Sequence, residues 1–253
     1  MLARIARFDP QLLYPIHHRS AESYEDLAVI KARDMLVKSR TMLITHVRGT
    51  VKSVGKRIST CGADVFHKRL LEEMPSELCA ALEPIMKSIE ELTCRIRHYD
   101  NLIKELSSTK YPETERLRQI GGVGPVTALA YVLTLEESSR FDKSRSVGAF
   151  LGMTPKRDQS GKIDKQLGIT KAGDTYLRAL LVGCAQYILG AFGPDCDLRR
   201  FGLALAVRGG KNGKRRAVVA VARKLAVMMH ALWKSDEVYD PIYQQNHKKK
   251  KAA

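Results

Sequence analysis

The residues with the most chemical content lie in the polar stretch TPKRDQSGKIDK, Thr154 to Lys165. It stands between two apolar, helix-like segments. Ser160 sits among Lys156, Arg157, Lys162 and Lys165, with Lys171 at the next turn. A serine hydroxyl is a weak nucleophile unless a base or cationic surroundings help it. Attack on a phosphodiester needs the charge developing on the non-bridging oxygens to be neutralised, which clustered Lys and Arg can do. The same spacing suits a loop that only touches a phosphate backbone. No Ser/His/Asp geometry is readable from a line of sequence, so on chemistry alone the backbone-touching reading is the default.

Two further stretches could meet the same kind of partner. LRQIGGVGPVTALAYVL, Leu117 to Leu133, reads as a helix, a Gly122-Val123-Gly124 turn and a second helix. Glycine lets a backbone turn with positive φ and approach a phosphate closely. The N–H groups opening the next helix then face that phosphate. Pro125 fits the first helical turn, where its missing N–H costs nothing. This resembles a helix-hairpin-helix signature for DNA; a plain tight turn is the alternative. The stretch Arg199 to Lys224 holds nine basic residues and no acid. Within it, RGGKNGKRR reads as a flexible loop whose Lys211, Lys214, Arg215 and Arg216 are candidates for backbone contact.

Composition agrees with such a partner. Lys plus Arg is 43 against 27 for Asp plus Glu, a formal charge of +16. The pI is near 9.7, which selects a polyanion, nucleic acid being the commonest. No apolar run is long enough for a membrane span, and the start, MLARIARFDPQLL, has no apolar core of a secretory signal. The five cysteines are scattered and form no CxxC; they read as reduced thiols of a cytoplasmic protein with no zinc site. The histidines show no ligand spacing, and no carboxylate cluster for a metal is visible.

The elements that must position these residues are helical. Ile30, Val37, Ile44, Val51 and Ile58 recur every seven residues. Leu78, Leu82, Ile85, Ile89, Leu92, Ile96, Tyr99, Ile103 and Leu106 alternate steps of four and three, the a/d spacing of a coiled coil. Pro84 marks a start or a kink. The two stripes, joined by a short connector, predict an antiparallel hairpin. The fold class expected is all-α: a long, coiled-coil-like helical hairpin, then a compact helical domain with a helix-hairpin-helix-like turn. SSTKYPETERLR, Ser107 to Arg118, reads as a polar hinge. The division expected is 1–21, a partly irregular stub; 22–112, the hairpin; 113–236, the compact domain; and 237–253, a basic disordered tail.

IGGVGPVTA (Ile120 to Ala128), LGMTPKRDQSGK (Leu151 to Lys162) and ITKAGDTYLRALL (Ile169 to Leu181) occur in order. Together they resemble the bacterial insertion-sequence transposases that join a RuvC-like DEDD domain to a C-terminal serine-bearing domain. At the turn, Gly121 replaces the usual proline. The resemblance implies DNA strand exchange through a phosphoserine formed at Ser160. It also implies DNA and a structured guide RNA as partners, self-association through the hairpin, and Mg²⁺ held by the RuvC-like carboxylates. MLARIARFDPQLL resembles the segment just after the last of those acidic motifs. The expectation is therefore a chain without the metal-binding domain, holding no cofactor itself and inactive alone. The rival expectation is a non-catalytic DNA- or RNA-binding remnant that interferes with intact transposase.

Overall fold

The computed structural model describes residues 2–10, 18–161 and 163–243. The short helix α1 (Leu2–Phe8) lies in the segment expected to be partly irregular. The helix α2 (Ala21–Ser53) opens on Ser20, whose Oγ accepts the Ser23 N–H at 3.1 Å, an N-cap that satisfies one orphan donor. It closes where Gly55 takes φ +75°. The Gly55 N–H donates to Lys52 O at 3.0 Å and the Lys56 N–H to Val51 O at 3.3 Å, the Schellman arrangement. The apolar stripe thus outlasts its helix: Ile58 lies beyond the cap and is still buried. The connector carries α3 (Phe66–Glu73) and a 3₁₀ turn before α4 (Cys79–Thr109). That helix runs through Pro84 at an exposed position.

Cross-links between α2 and α4 pair rising with falling numbers, so the helices are antiparallel. Asp26 Oδ2 accepts from Lys110 Nζ at 3.1 Å and from Tyr111 OH at 2.8 Å. Arg33 Nε meets Asp100 Oδ1 at 2.7 Å, and Arg40 donates to Thr93 Oγ1 at 3.2 Å. Four of the nine a/d residues are buried: Leu82, Ile89, Ile96 and Ile103 are core. Ile85, Leu92, Tyr99 and Leu106 are only half-buried. Thr93 and Ser107 take interior places instead, each donating to the carbonyl four residues earlier at 2.8 Å. Two helices alone bury one seam, and the far edge of a wider stripe stays in contact with water. The apolar core of the pair is split in two, around Leu27, Ile30 and Ile103 at one end and Ile44, Val47 and Ile89 at the other.

The first of these clusters is continuous with the core of the remaining helices. The segment read as a polar hinge packs there: α5 (Glu113–Arg118) buries Thr114 and Leu117 completely. Central to the core is α6 (Pro125–Leu135), buried without a break from Thr127 to Leu135, as an apolar-all-round helix must be. Around it lie α7 (Arg145–Phe150), α8 (Thr175–Leu189), α9 (Asp197–Arg208) and α10 (Gly213–Ser235). Tyr131 donates its hydroxyl to Ala226 O at 2.6 Å. His230, fully buried on α10, meets Ser144 Oγ and Ser138 O at 2.9 Å each. Residues expected to open a disordered tail lie on this domain: the Asp197 N–H donates to Pro241 O at 2.8 Å and the Tyr239 N–H to Gln119 Oε1 at 3.0 Å. The rest of that tail, from residue 244, falls outside the described residues.

Candidate nucleic-acid interface

The polar stretch is a two-stranded antiparallel hairpin, β1 (Pro155–Ser160) and β2 (Ile163–Ile169), the departure from an all-helical chain. Gly161, at φ +56°, opens its two-residue turn, a conformation glycine takes without cost. Every residue of β1 is exposed. The register pairs Ser160 with Ile163, Gln159 with Asp164, Asp158 with Lys165 and Arg157 with Gln166. Strand alternation then divides the site residues between two faces. Ser160 shares its face with Asp158 and Lys165. Arg157 belongs to the other face, where it meets Asp164 at 3.3 Å. Lys156 falls at the irregularity between Pro155 and Arg157. The hairpin therefore brings Lys165 to the serine and turns Arg157 away; Lys162 lies outside the described residues. Asp158 was missed by sequence reasoning, because its place beside Ser160 depends on recognising a strand.

An isolated two-stranded hairpin is marginal in water, so its base has to be held. Gly152 and Gly173 hold it. Both have positive φ, +67° and +82°. A Cβ on Gly152 would overlap the Ala172 backbone, and one on Gly173 the Phe150 carbonyl oxygen. The Lys171 N–H donates to Gly152 O, and the Thr170 N–H to Thr154 O, at 2.9 Å each. Arg178, buried on α8, donates to Leu151 O at 3.1 Å and Ala172 O at 3.0 Å, locking both sides. Lys171 is itself held at φ +59° with its side chain exposed. Asp174 caps α8 by accepting the Leu177 N–H at 2.8 Å and pairs with Arg19 at 3.6 Å. The ends of the strands are thus fixed while their outer length is free.

The glycine turn before α6 has a different character. Gly122 takes φ +96°, and a Cβ there would come within 2.9 Å of Tyr187 Cδ1. Its lack of a side chain serves packing against α8. Gly124 caps α6 with open space around it. Between this turn and α8 runs a groove of about 580 Å³ walled by Gly124, Thr127, Gly183 and Tyr187, and no residue lining it is charged. Burial pushes the Cys184 thiol on its floor above the usual range. Of the two glycines, Gly124 alone has open space where a side chain would stand.

RGGKNGKRR is a tight corner rather than a loose loop. A Cβ on Gly213 would overlap the Ala206 carbonyl oxygen, so α9 and α10 meet closely across a 3₁₀ turn, Gly210–Asn212. Lys211, Lys214, Arg215 and Arg216 are exposed there. Three of them crowd the first turn of α10 with no acid beside them, where the helix dipole favours negative charge. The cations repel the helix end and one another, and a bound polyanion relieves both.

Among the described residues, no group of three or more His, Cys, Asp or Glu side chains is arranged to hold an ion. The carboxylates nearest Ser160 in register, Asp158 and Asp164, stand on opposite faces. Among the same residues, no helix is long and apolar enough to cross a membrane.

Fold and site together define a mostly helical, strongly basic protein that presents a serine on a small exposed ribbon. Residues 114–197, which span the glycine turn, the ribbon and α8, match the family described as Transposase IS116/IS110/IS902. The chain is similar to a transposase for insertion sequence element IS1111A of Coxiella burnetii, 32% identical over 235 residues, 88% of this chain and 62% of that protein. It is similar also to a probable family 20 transposase of Pseudomonas aeruginosa, 28% identical over 88% of this chain and 67% of that one. A transposase for insertion sequence element IS1328 of Yersinia enterocolitica is 28% identical over 164 residues, 63% of this chain and 48% of its own length. The chain is thus similar to insertion-sequence transposases and spans less than two thirds of the length of the first of them.

Proposed function

We propose that the chain takes part in DNA transposition, with Ser160 as the attacking hydroxyl. The observation that carries this is the exposed Ser160 on a ribbon whose base is clamped, inside the stretch that matches the transposase family. In the step, Ser160 Oγ bonds to phosphorus as the phosphorus bond to one deoxyribose oxygen breaks, and the serine proton passes to that oxygen. One phosphodiester replaces another, so no outside energy source is needed. Lys165, on the serine's face, neutralises charge on the non-bridging oxygens. Asp158, on the same face, takes the serine proton and hands it to the leaving oxygen. Gly124, Lys156, Lys171 and the basic corner of α10 hold the backbone. A structured guide RNA is the second polyanion of this reading. The half-buried edge Ile85, Leu92, Tyr99 and Leu106 is the surface for a second copy.

The described residues do not fit a Mg²⁺ site, so no step is routed through one. The same observation favours a second reading, a nucleic-acid binder that interferes with an intact transposase. Ser160→Ala separates the two. The chain is mixed with junction DNA, guide RNA and Mg²⁺, alone and beside a longer relative whose own serine is alanine. The first reading expects a denaturation-resistant adduct of this chain with DNA in the presence of the relative, lost in Ser160→Ala with affinity kept. Adduct that survives Ser160→Ala contradicts it. Strand transfer by the chain alone contradicts the need for the relative.

A further inference from the structure

Gly148 lies in α7, which packs against α10. A Cβ there would come within 3.0 Å of Arg223 Cγ and 3.1 Å of its Nε. Arg223 therefore lies along α7 with its stem and Nε over the glycine, and the residue is half-exposed. Other cations of the same stretch serve the fold. Arg199 donates to Ile188 O and Gly190 O at 2.6 Å each. Arg200 pairs with Asp195 at 3.0 Å, and Lys224 lies 4.4 Å from the Phe201 ring centre. Arg223 has a fixed course and, among the described residues, no partner. Arg216, seven residues earlier on α10, shares its face about 10 Å away. Arg145, three residues before Gly148 on α7, is exposed and equally unpaired.

We infer that Arg145, Arg216 and Arg223 form a track for a phosphodiester backbone, with Arg223 as the positioning cation that carries it from the basic corner of α10 across α7 toward the ribbon. The inference rests on the polyanion-binding reading above and adds its path. Single acids could screen such a track; none among the described residues pairs with these three cations.

The test is fluorescence anisotropy of the full chain with a DNA duplex, and with an RNA duplex of the same sequence, over a salt series. Arg223→Ala is expected to weaken binding several-fold and to lower the salt slope by about one. Gly148→Ala, which displaces the arginine, is expected to do the same. The double variant is expected to bind as the weaker single does, because both changes remove one contact. Arg223→Lys keeps the slope. Independent, multiplying effects of the two changes overturn the inference, as does an unchanged slope in Arg223→Ala. Should Gly148→Ala unfold, seen by its melting curve, Arg145→Ala with Arg223→Ala replaces it and is expected to lower the slope by about two; a slope lowered no further than by Arg223→Ala alone overturns the track. A wild-type chain whose binding shows no salt dependence removes the underlying reading; normal wild-type binding with indifferent variants removes the track alone.

Discussion

The ribbon and its base are neighbours in sequence and opposite in physics. From Leu151 to Gly152 and from Thr170 to Arg178, backbone lies so close to backbone that two glycines have no room for a Cβ and a buried arginine bridges two carbonyls. From Pro155 to Ser160 nothing packs and every residue is exposed. The family-like motifs therefore contain two kinds of residue. Glycines and Arg178 build the mount, whereas Ser160, Lys165 and Lys171 are what the mount displays.

The sharpest way to break this contrast is to add one methyl group on each side of it. Gly173→Ala meets both the left-handed backbone penalty and an overlap with Phe150, and is expected to cost about 3 kcal/mol or more in a denaturant melt. Gly161→Ala, in the open turn, is expected to cost only about 1 kcal/mol. Equal costs would mean the base is not clamped. Arg178→Ala comes next: it leaves the Leu151 and Ala172 carbonyls without their donor and is expected to cost about 2 to 3 kcal/mol.

A pH series probes the mount from behind, where His230 ties α10 to the segment leading into α7. Burial, the largest cause, and the Lys234 charge hold its pKa below the usual value. The unfolded chain then binds more protons, so the stability is full above about pH 6.5 and falls as pH drops below it. Melting temperature is expected to decline between about pH 7 and about pH 5.5, and to decline less in His230→Gln. A parallel decline in both proteins contradicts this role. The smallest effects on stability belong to the ribbon: Ser160→Ala and Lys165→Ala are each expected within about 0.5 kcal/mol of wild type.

Much of the helical frame was legible, because burial imposes a period on a helix. The seven-residue recurrence of Ile30, Ile44 and Val51 and the run after Pro125 both became buried faces. Other elements left no such mark. The ribbon has no interior face, so no alternation of apolar and polar residues announces it. The base depends on which glycines meet across the fold, a tertiary fact. The corner at Gly209 to Gly213 looks loose in sequence because glycine stands equally for freedom and for close approach. Arg223 was one of nine cations in an acid-free stretch and nothing local set it apart, since its course is fixed by Gly148 on another helix.

The most direct measurement attaches a photo-crosslinker through a cysteine at position 160, in a chain whose exposed Cys79 and Cys94 are serine, and through one at exposed Leu71 on α3 as the control. With DNA bound, the account predicts strong crosslinking from position 160 and little from position 71. Equal yields from the two positions, or none from position 160 while binding persists, would contradict it.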